Sequence, residues 1–213
     1  MKIVLDTNIV LRTSGRLLRD SAFERIRVAE LTPMALVVPE IVILETVNCF
    51  RRELLDRKTK MDRAIRDFQR YHFDDAHGLN APSVDDDVFN VYEQGLRTRL
   101  NELNAEIPDH SDVPHAVLID RALRHRKPLD EKGRGYRDAV IWEVILRKIA
   151  SNAEQTIFIT DNWHDFGCSQ KGDELHRNLK EDMSQLGLDE KSIKIIPSLD
   201  QFVEVYMHPS LQT

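Results

Sequence analysis

Cysteine is almost absent from this chain: Cys49 and Cys168 are the only two in 213 residues. One lies in helix-type and the other in loop-type sequence, which makes neither a disulfide framework nor a zinc pattern. A cytoplasmic protein is therefore expected. Long apolar runs are missing as well. No stretch approaches the roughly 20 residues that span a bilayer, and Met1-Lys2-Ile3-Val4-Leu5 is too short for a signal-peptide core, so no membrane role is expected. Nor is there a positive charge excess. The net charge is -6 and the pI about 5.8, a poor match to a nucleic-acid binder, because phosphates are contacted chiefly by Lys and Arg. Internal repeats and low-complexity tracts are also absent.

The charge is unevenly spread, and that reopens the question. Between Arg51 and Arg70 eight Lys or Arg face four Asp or Glu, and between Ile119 and Arg137 seven face three. From Asp74 to Asp112 ten acids face only Arg97 and Arg99. A polyanion can be held locally despite the overall sign. Arg124, Arg126, Lys127, Arg134 and Arg137 are the candidate phosphate contacts, with a solvated helix face as the competing reading. The acidic segment reads as an insertion or as a solvated helical face.

Four β-rich runs, Lys2 to Leu5, Ala35 to Val38, Thr156 to Thr160 and Ile193 to Ile196, alternate with helical patterns. Continuous apolar strands separated by helices predict a parallel sheet covered on both faces. The long stretch between the second and third runs reads as helices: Pro39 to Tyr71 with a break near Arg57 to Thr59, Val84 to Glu106, Pro114 to Arg126, and Tyr136 to Ala150. Pro82, Pro108, Pro114 and Pro128 punctuate them, since an interior proline costs a helix about 3 kcal/mol. Gly133-Arg134-Gly135 lacks the ending of a phosphate-cradling loop and reads as a flexible approach to the last of these helices. One domain over residues 1–213 is expected, with a helical insertion at about 57–130.

Two strands end in an acid: Ile3-Val4-Leu5-Asp6-Thr7-Asn8 and Ile157-Phe158-Ile159-Thr160-Asp161-Asn162. In an open parallel sheet ligands bind outside the strand carboxyl ends, so Asp6 and Asp161 are positioned to converge there. Taken singly, each is equally at home as a helix N-cap or Asx turn. After Pro39, Ile41, Leu44, Glu45 and Asn48 share one helix face, and Glu45 interrupts an apolar stretch. A carboxylate buried there needs a metal or an ion pair, with Arg12 or Arg52 as candidate partners. Asp138 opens a later helix on the stripe of Ile141, Trp142 and Ile145, whereas Glu143 falls on another face and is the weaker ligand candidate. An Asp in a first helical turn is also ordinary, because it complements the helix dipole. Crowded carboxylates repel unless a cation compensates, and an all-oxygen donor set selects Mg²⁺ or Mn²⁺ over zinc. Asn8, Thr160, Asn162 and Asp165 are candidates to orient waters around such an ion. His164 reads as a surface or hydrogen-bonding residue, and no Ser, Cys or His forms a nucleophile pair.

An N-terminal strand ending in Asp-Thr-Asn, an inward Glu on the helix after the second strand, an Arg-Asp-Ala helix start and a strand ending in Thr-Asp-Asn together resemble the PIN-domain nuclease family. The resemblance covers residues 1 to about 55 and about 130 to 205. It implies an α/β fold of three α/β/α layers around a central parallel sheet. It also implies metal-binding catalytic acids at Asp6, Glu45, Asp138 and Asp161, supported by Thr7, Asn8 and Thr160, and a Mg²⁺- or Mn²⁺-dependent ribonuclease activity. Many members are bacterial toxins held by antitoxin proteins, which brings a toxin or defence role, an antitoxin partner and a homodimer into view. The 92 residues separating Glu45 from Asp138 depart from the small toxin pattern. The expectation is a metal-dependent endonuclease acting on RNA, with a catalytically silent RNA- or protein-binding module as the alternative. A dehalogenase-type phosphatase is disfavoured, because Asp6-Thr7-Asn8 lacks the second aspartate that serves there as acid and base.

Overall fold

Residues Lys2–Leu5 (β1), Ala35–Val37 (β2), Thr156–Ile159 (β3) and Ile193–Ile196 (β4) are short aliphatic or β-branched runs, and all four become strands. In the computed structural model, which describes residues 1–11, 34–71, 79–152, 154–167 and 174–207, they form one parallel sheet in the order β2-β1-β3-β4. The register pairs Lys2 with Ala35 and Thr156, and Thr156 with Ile193. Every residue of β1 and β3 is buried, as continuous apolar strands covered on both faces should be. All carboxyl ends lie along one edge. The helices Thr7–Leu11 (α1), Glu40–Tyr71 (α2), Asp86–Glu102 (α3), His115–Leu123 (α4), Tyr136–Asn152 (α5), Trp163–Phe166 (α6), Arg177–Gln185 (α7) and Leu199–Met207 (α8) complete the three-layer α/β/α arrangement.

α2 runs unbroken for 32 residues, contrary to the expected break near Arg57 to Thr59. That segment contains neither Gly nor Pro. It is also laced by one-turn ion pairs: Arg57 with Glu53, Lys58 with Asp62 (2.8 Å) and Lys60 with Asp56 (2.6 Å). The expected inward face of this helix is corrected too. Leu44 and Asn48 are exposed, and the buried positions are Val42, Ile43 and Thr46. Glu45 sits at the margin of that face.

α3 begins at an Asp85 cap, whose carboxylate accepts the Val88 amide, and it stops before the predicted end at Glu106. Asn104 takes a positive φ of 51°, and Glu106 pairs with β2 through Glu106 N to Leu36 O (2.8 Å) and Val38 N to Glu106 O (2.9 Å). α3 lies antiparallel along the first part of α2. Phe50 stacks on Tyr92 at 3.9 Å and Arg97 grips Glu40, while Leu96 and Leu100 join the main core. α4 ends at Leu123, three residues before the predicted end, because His125 turns to φ 50°.

α5 is apolar nearly all round because it serves two cores. Ile141, Trp142, Ile145, Leu146 and Ile149 face the sheet, and Ala139, Val140 and Val144 pack with Val113, Leu118 and Leu129. Its approach is not merely flexible. At Gly135, with φ 94°, a Cβ would drive into the Pro128 carbonyl oxygen, so only glycine fits.

One charged group holds α4, α5 and α7 together. Arg121, 5% exposed, donates to Glu143 (2.9 Å), to Asp182 (2.7 Å) and to the Lys127 carbonyl (2.6 Å). Asp182 also accepts from Trp142 Nε1 (3.0 Å) and Arg126 (2.9 Å). Glu143 is therefore an ion-pair partner of the α4 helix. Asp182→Ala removes the carboxylate shared by two arginines and leaves Arg121 with Glu143 and Arg126 with Glu181, and breaking one side of a buried pair costs up to about 3–5 kcal/mol. Urea unfolding should show a loss of that size for Asp182→Ala and little change for Arg124→Ala, whose pair with Asp120 is exposed. Equal losses in the two variants would mean that the buried network does not bear on stability.

Candidate active site

The site begins where β1 stops. The strand ladder carries on through Asp6 N to Ile159 O (3.0 Å), so the Asp6 backbone is fixed and its side chain, 2% exposed, projects from the sheet edge. Three neutral groups meet its carboxylate. The Thr7 amide donates to Oδ1 (2.7 Å), and Asn8 Nδ2 (3.0 Å) and Thr160 Oγ1 (2.5 Å) donate to Oδ2. The Thr160 hydroxyl in turn accepts from the Asn162 amide (3.0 Å) and Asn8 Nδ2 (3.3 Å), which ties the ends of β1 and β3 together.

The other acids attach to this centre. Thr7 Oγ1 donates to Glu45 Oε2 (2.8 Å), bringing α2 to the sheet edge. The Asp161 amide donates to Asn8 Oδ1 (3.3 Å). Asn162 Nδ2 reaches both Asp138 Oδ1 (3.3 Å) and Asp165 Oδ2 (3.0 Å), linking the start of α5 to α6. Every acid and every supporting residue expected from the sequence thus stands at one edge of the sheet. Arg12 lies outside the described residues, and Arg52 is not the ion-pair partner of Glu45. Arg137 is, at 2.6 Å from Oε1. Its place immediately before Asp138 at a helix start was the available signal. A second cation, Lys127, pairs with Asp165 at 2.8 Å.

The electrostatics follow from burial without a counter-charge. Burial is the main cause that lifts Asp6 to about 6; the hydrogen bonds from Thr160 and Thr7 oppose it, and the charges of Glu45 and Asp161 add to it. Asp138 is lifted to about 7 by burial first and then by Asp6, Asp165 and Glu45, against the Asn162 hydrogen bond. Each acid therefore feels the others. The donor set is all oxygen and short of positive charge, which suits a hard divalent cation in kind. Among the described residues, no three His, Cys, Asp or Glu side chains stand together as a ready ligand set, and Glu45 is engaged by Arg137 and Thr7.

The candidate phosphate contacts scatter. Arg126 is committed to Glu181 (3.1 Å) and Asp182 (2.9 Å), and Lys127 to Asp165. Arg124 and Arg134 project to solvent beside Asp120 and Asp130. Arg137 is half exposed at the acid site. His164 stacks on Trp163 at 3.6 Å. Cys168 lies outside the described residues.

The raised values set a pH signature. Asp6 and Asp138 bind protons more tightly folded than unfolded, so the stability they contribute is complete below about 4 and is lost as pH rises through 6 to 7. Asp6→Asn removes the Asp6 part. In chelator, its melting temperature relative to wild type should therefore climb between about pH 4 and about pH 6 and level off above. A difference that stays constant or falls over this range would refute an uncompensated charge at Asp6.

A family model described as PIN domain matches residues 3–166, a span that includes Asp6, Glu45, Asp138, Asp161 and Asp165. No curated protein and no solved structure matches the chain. Among the described residues no helix is long and apolar enough to cross a membrane. The family match covers most of the chain, and the four-stranded parallel sheet with its acid-lined carboxyl edge accords with it: the chain belongs to the PIN-domain family, whose members are in general nucleases.

Proposed function

We propose that the protein is a divalent-metal-dependent endonuclease that hydrolyses phosphodiester bonds in RNA, with Asp6, Glu45, Asp138 and Asp161 as the acids of its catalytic centre and Mg²⁺ or Mn²⁺ as the ion. The observation that carries this reading is the gathering of Asp6, Glu45, Asp138 and Asp161 at one sheet edge through Thr7, Asn8 and Asn162. Asp6 and Asp138 are both lifted by burial and by neighbouring carboxylates, and among the described residues neither has a cation within ion-pair distance. Isolated helix caps would not need four acids at one edge.

The residues divide the work. Asp6, fixed by Thr7, Asn8 and Thr160, is the rigid acid, and Asp161 joins it from the end of β3. Asp138, which burial and the neighbouring Asp6, Asp165 and Glu45 lift to about 7 in the absence of an ion, takes the Asn162 amide on Oδ1 and keeps Oδ2 for the ion. Asn162 and Asp165 orient the α5 side of the site. Bound there, a divalent ion supplies charge compensation and Lewis acidity for the phosphate oxygens. Arg124, Arg134 and Arg137 are the surface cations of this region for RNA phosphates, and Arg126 and Lys127 hold the loop between α4 and α5 in place. The competing reading, a silent RNA- or protein-binding module, draws on one observation: Arg137 already sits on Glu45.

Cleavage of single-stranded and structured RNA, with DNA in parallel, separates the two. The wild type should cut RNA with Mg²⁺ or Mn²⁺ and stop in chelator, and Asp6→Asn should lose about two orders of magnitude or more. Binding without metal-dependent cleavage would establish the silent module. Arg137 gives a second check. A cation on Glu45 competes with a metal there, and a partly exposed pair is worth up to about 1 kcal/mol, so Arg137→Ala should bind Mn²⁺ roughly fivefold more tightly in titration calorimetry. Weaker Mn²⁺ binding in that variant would instead make Arg137 a necessary support of the site.

A further inference from the structure

α2 carries Glu45 near its start and then leaves the core. α3 accompanies it only as far as the pair between Arg51 and Asp86 (3.3 Å). Beyond that the helix continues to Tyr71, with Leu55, Met61, Phe68 and Tyr71 all exposed. At 1.5 Å per residue, Arg63 stands about 27 Å along the axis from Glu45 and Arg70 about 37 Å. From 57 to 71 this arm has six Lys or Arg against Asp62 and Asp67 alone.

The arginines are not spread evenly round it. At about 100° per residue, Arg52, Arg63 and Arg70 fall within about 20° of the Glu45 direction, and Arg66 within about 60°. Glu45 and these arginines thus share one face. Most other cations of the arm are tied locally, Arg57 to Glu53, Lys58 to Asp62 and Lys60 to Asp56. Arg52, Arg63 and Arg66 are exposed and, among the described residues, have no carboxylate within ion-pair distance. Among the described residues Arg52 reaches the Cys49 sulfur at 3.6 Å, and Arg70 is held loosely by Asp67 at 3.4 Å. At the far end Tyr71 is 81% exposed. Tyr71 lies at the end of the arm, about 80° round the helix from the Glu45 direction, so guanidinium charge for a backbone stands beside a π face for a base, the pairing that single-stranded nucleic acid requires. The net positive charge of the arm also argues against two copies pairing along it.

We propose that the Arg52, Arg63, Arg66 face of α2, with Tyr71 at its end, is the track along which single-stranded RNA leaves the acid site. This rests on the nuclease reading, because it assigns where that site's substrate lies. The track sets grip and length preference and takes no part in bond cleavage.

The test combines Arg52→Ala, Arg63→Ala and Arg66→Ala in one variant, whose fold is protected because all three positions are exposed and alanine favours helix. Binding of a fluorescent 20-nucleotide oligouridylate is followed by anisotropy in chelator across a salt series. Three lost phosphate contacts at about 0.7 each should flatten the slope of log affinity against log salt by about two, with affinity at low salt falling about tenfold or more. With Mn²⁺, kcat at saturating 20-mer should be unchanged, and cleavage of a dinucleotide, too short to reach Arg52 about 10 Å along the axis from Glu45, should match wild type. An unchanged salt slope in a variant of a wild type that binds and cuts RNA overturns the track and leaves the nuclease standing. A changed slope in a protein that never cuts leaves the track standing and removes the nuclease. Displacement of RNA by polyglutamate at equal charge concentration overturns the RNA assignment in favour of an acidic protein partner.

Discussion

Asp6 is a carboxylate almost wholly removed from water and met by neutral donors only, with other acids close by. Such a group is costly to bury, and its three hydrogen bonds offset only part of the cost. The surroundings make sense as consequences of keeping it there. Thr160 and Asn8 stitch β1 to β3 directly above the sheet, Thr7 draws in Glu45 from α2, and Asn162 bridges the start of α5 to α6. The parallel sheet makes this possible, because it sends β1 and β3 to the same edge with their terminal polar residues side by side.

Much of this edge was legible in the sequence, because its signals are local. Asp6-Thr7-Asn8 and Thr160-Asp161-Asn162 each follow a run that only a buried strand explains, and Asp138 lies one helical step from Ile141 and Trp142. Longer-range choices were not legible. Helical spacing put Glu45 on a face with Leu44 and Asn48, but which side of a uniformly apolar helix turns inward is decided by the sheet it meets, and Val42, Ile43 and Thr46 took that place. Arg137, and not Arg52, pairs with Glu45 for the same reason: the pairing joins α2 to the start of α5, and the only local hint of it is the place of Arg137 immediately before Asp138. The continuity of α2 was readable in principle from its Glu53, Arg57 and Asp56, Lys60 spacings, which outweigh the weak helix preference of Thr59.

The Arg121 network shows why the second half of the chain can hold a strained site without yielding. Its members come from α4, α5 and α7 and are separated by tens of residues, so no sequence window contains it. Arg126 and Lys127 extend it, through Asp182, the Asn178 side chain and carbonyl, and Asp165. Asp165 shares Asn162 with Asp138. A continuous line of charge-assisted contacts therefore runs from the buried centre of the helical layer to the acid site. The close approach of Gly135 to Pro128 fixes the start of α5 at the other end of the same loop. Two residues that composition alone presents as phosphate contacts, Arg126 and Lys127, have their charge taken up by this scaffold.

The negative net charge then ceases to be a paradox for the proposed RNA nuclease. Acids crowded at one edge repel a polyanion wherever it is not compensated, so substrate must be held by positive charge displaced from the reacting centre. At physiological ionic strength charges are screened over about 8 Å, so what a phosphate senses is its immediate surface and not the total of the chain. The acidic excess between Asp74 and Asp112 includes Asp86, Asp87 and Glu93 of α3. The uncommitted arginines of α2 lie on a helix that outruns α3 by about five turns. On the proposed reading, separation along one long helix gives the protein a cluster of carboxylates for chemistry and, from about 10 Å onward along the axis, a row of guanidinium groups for grip.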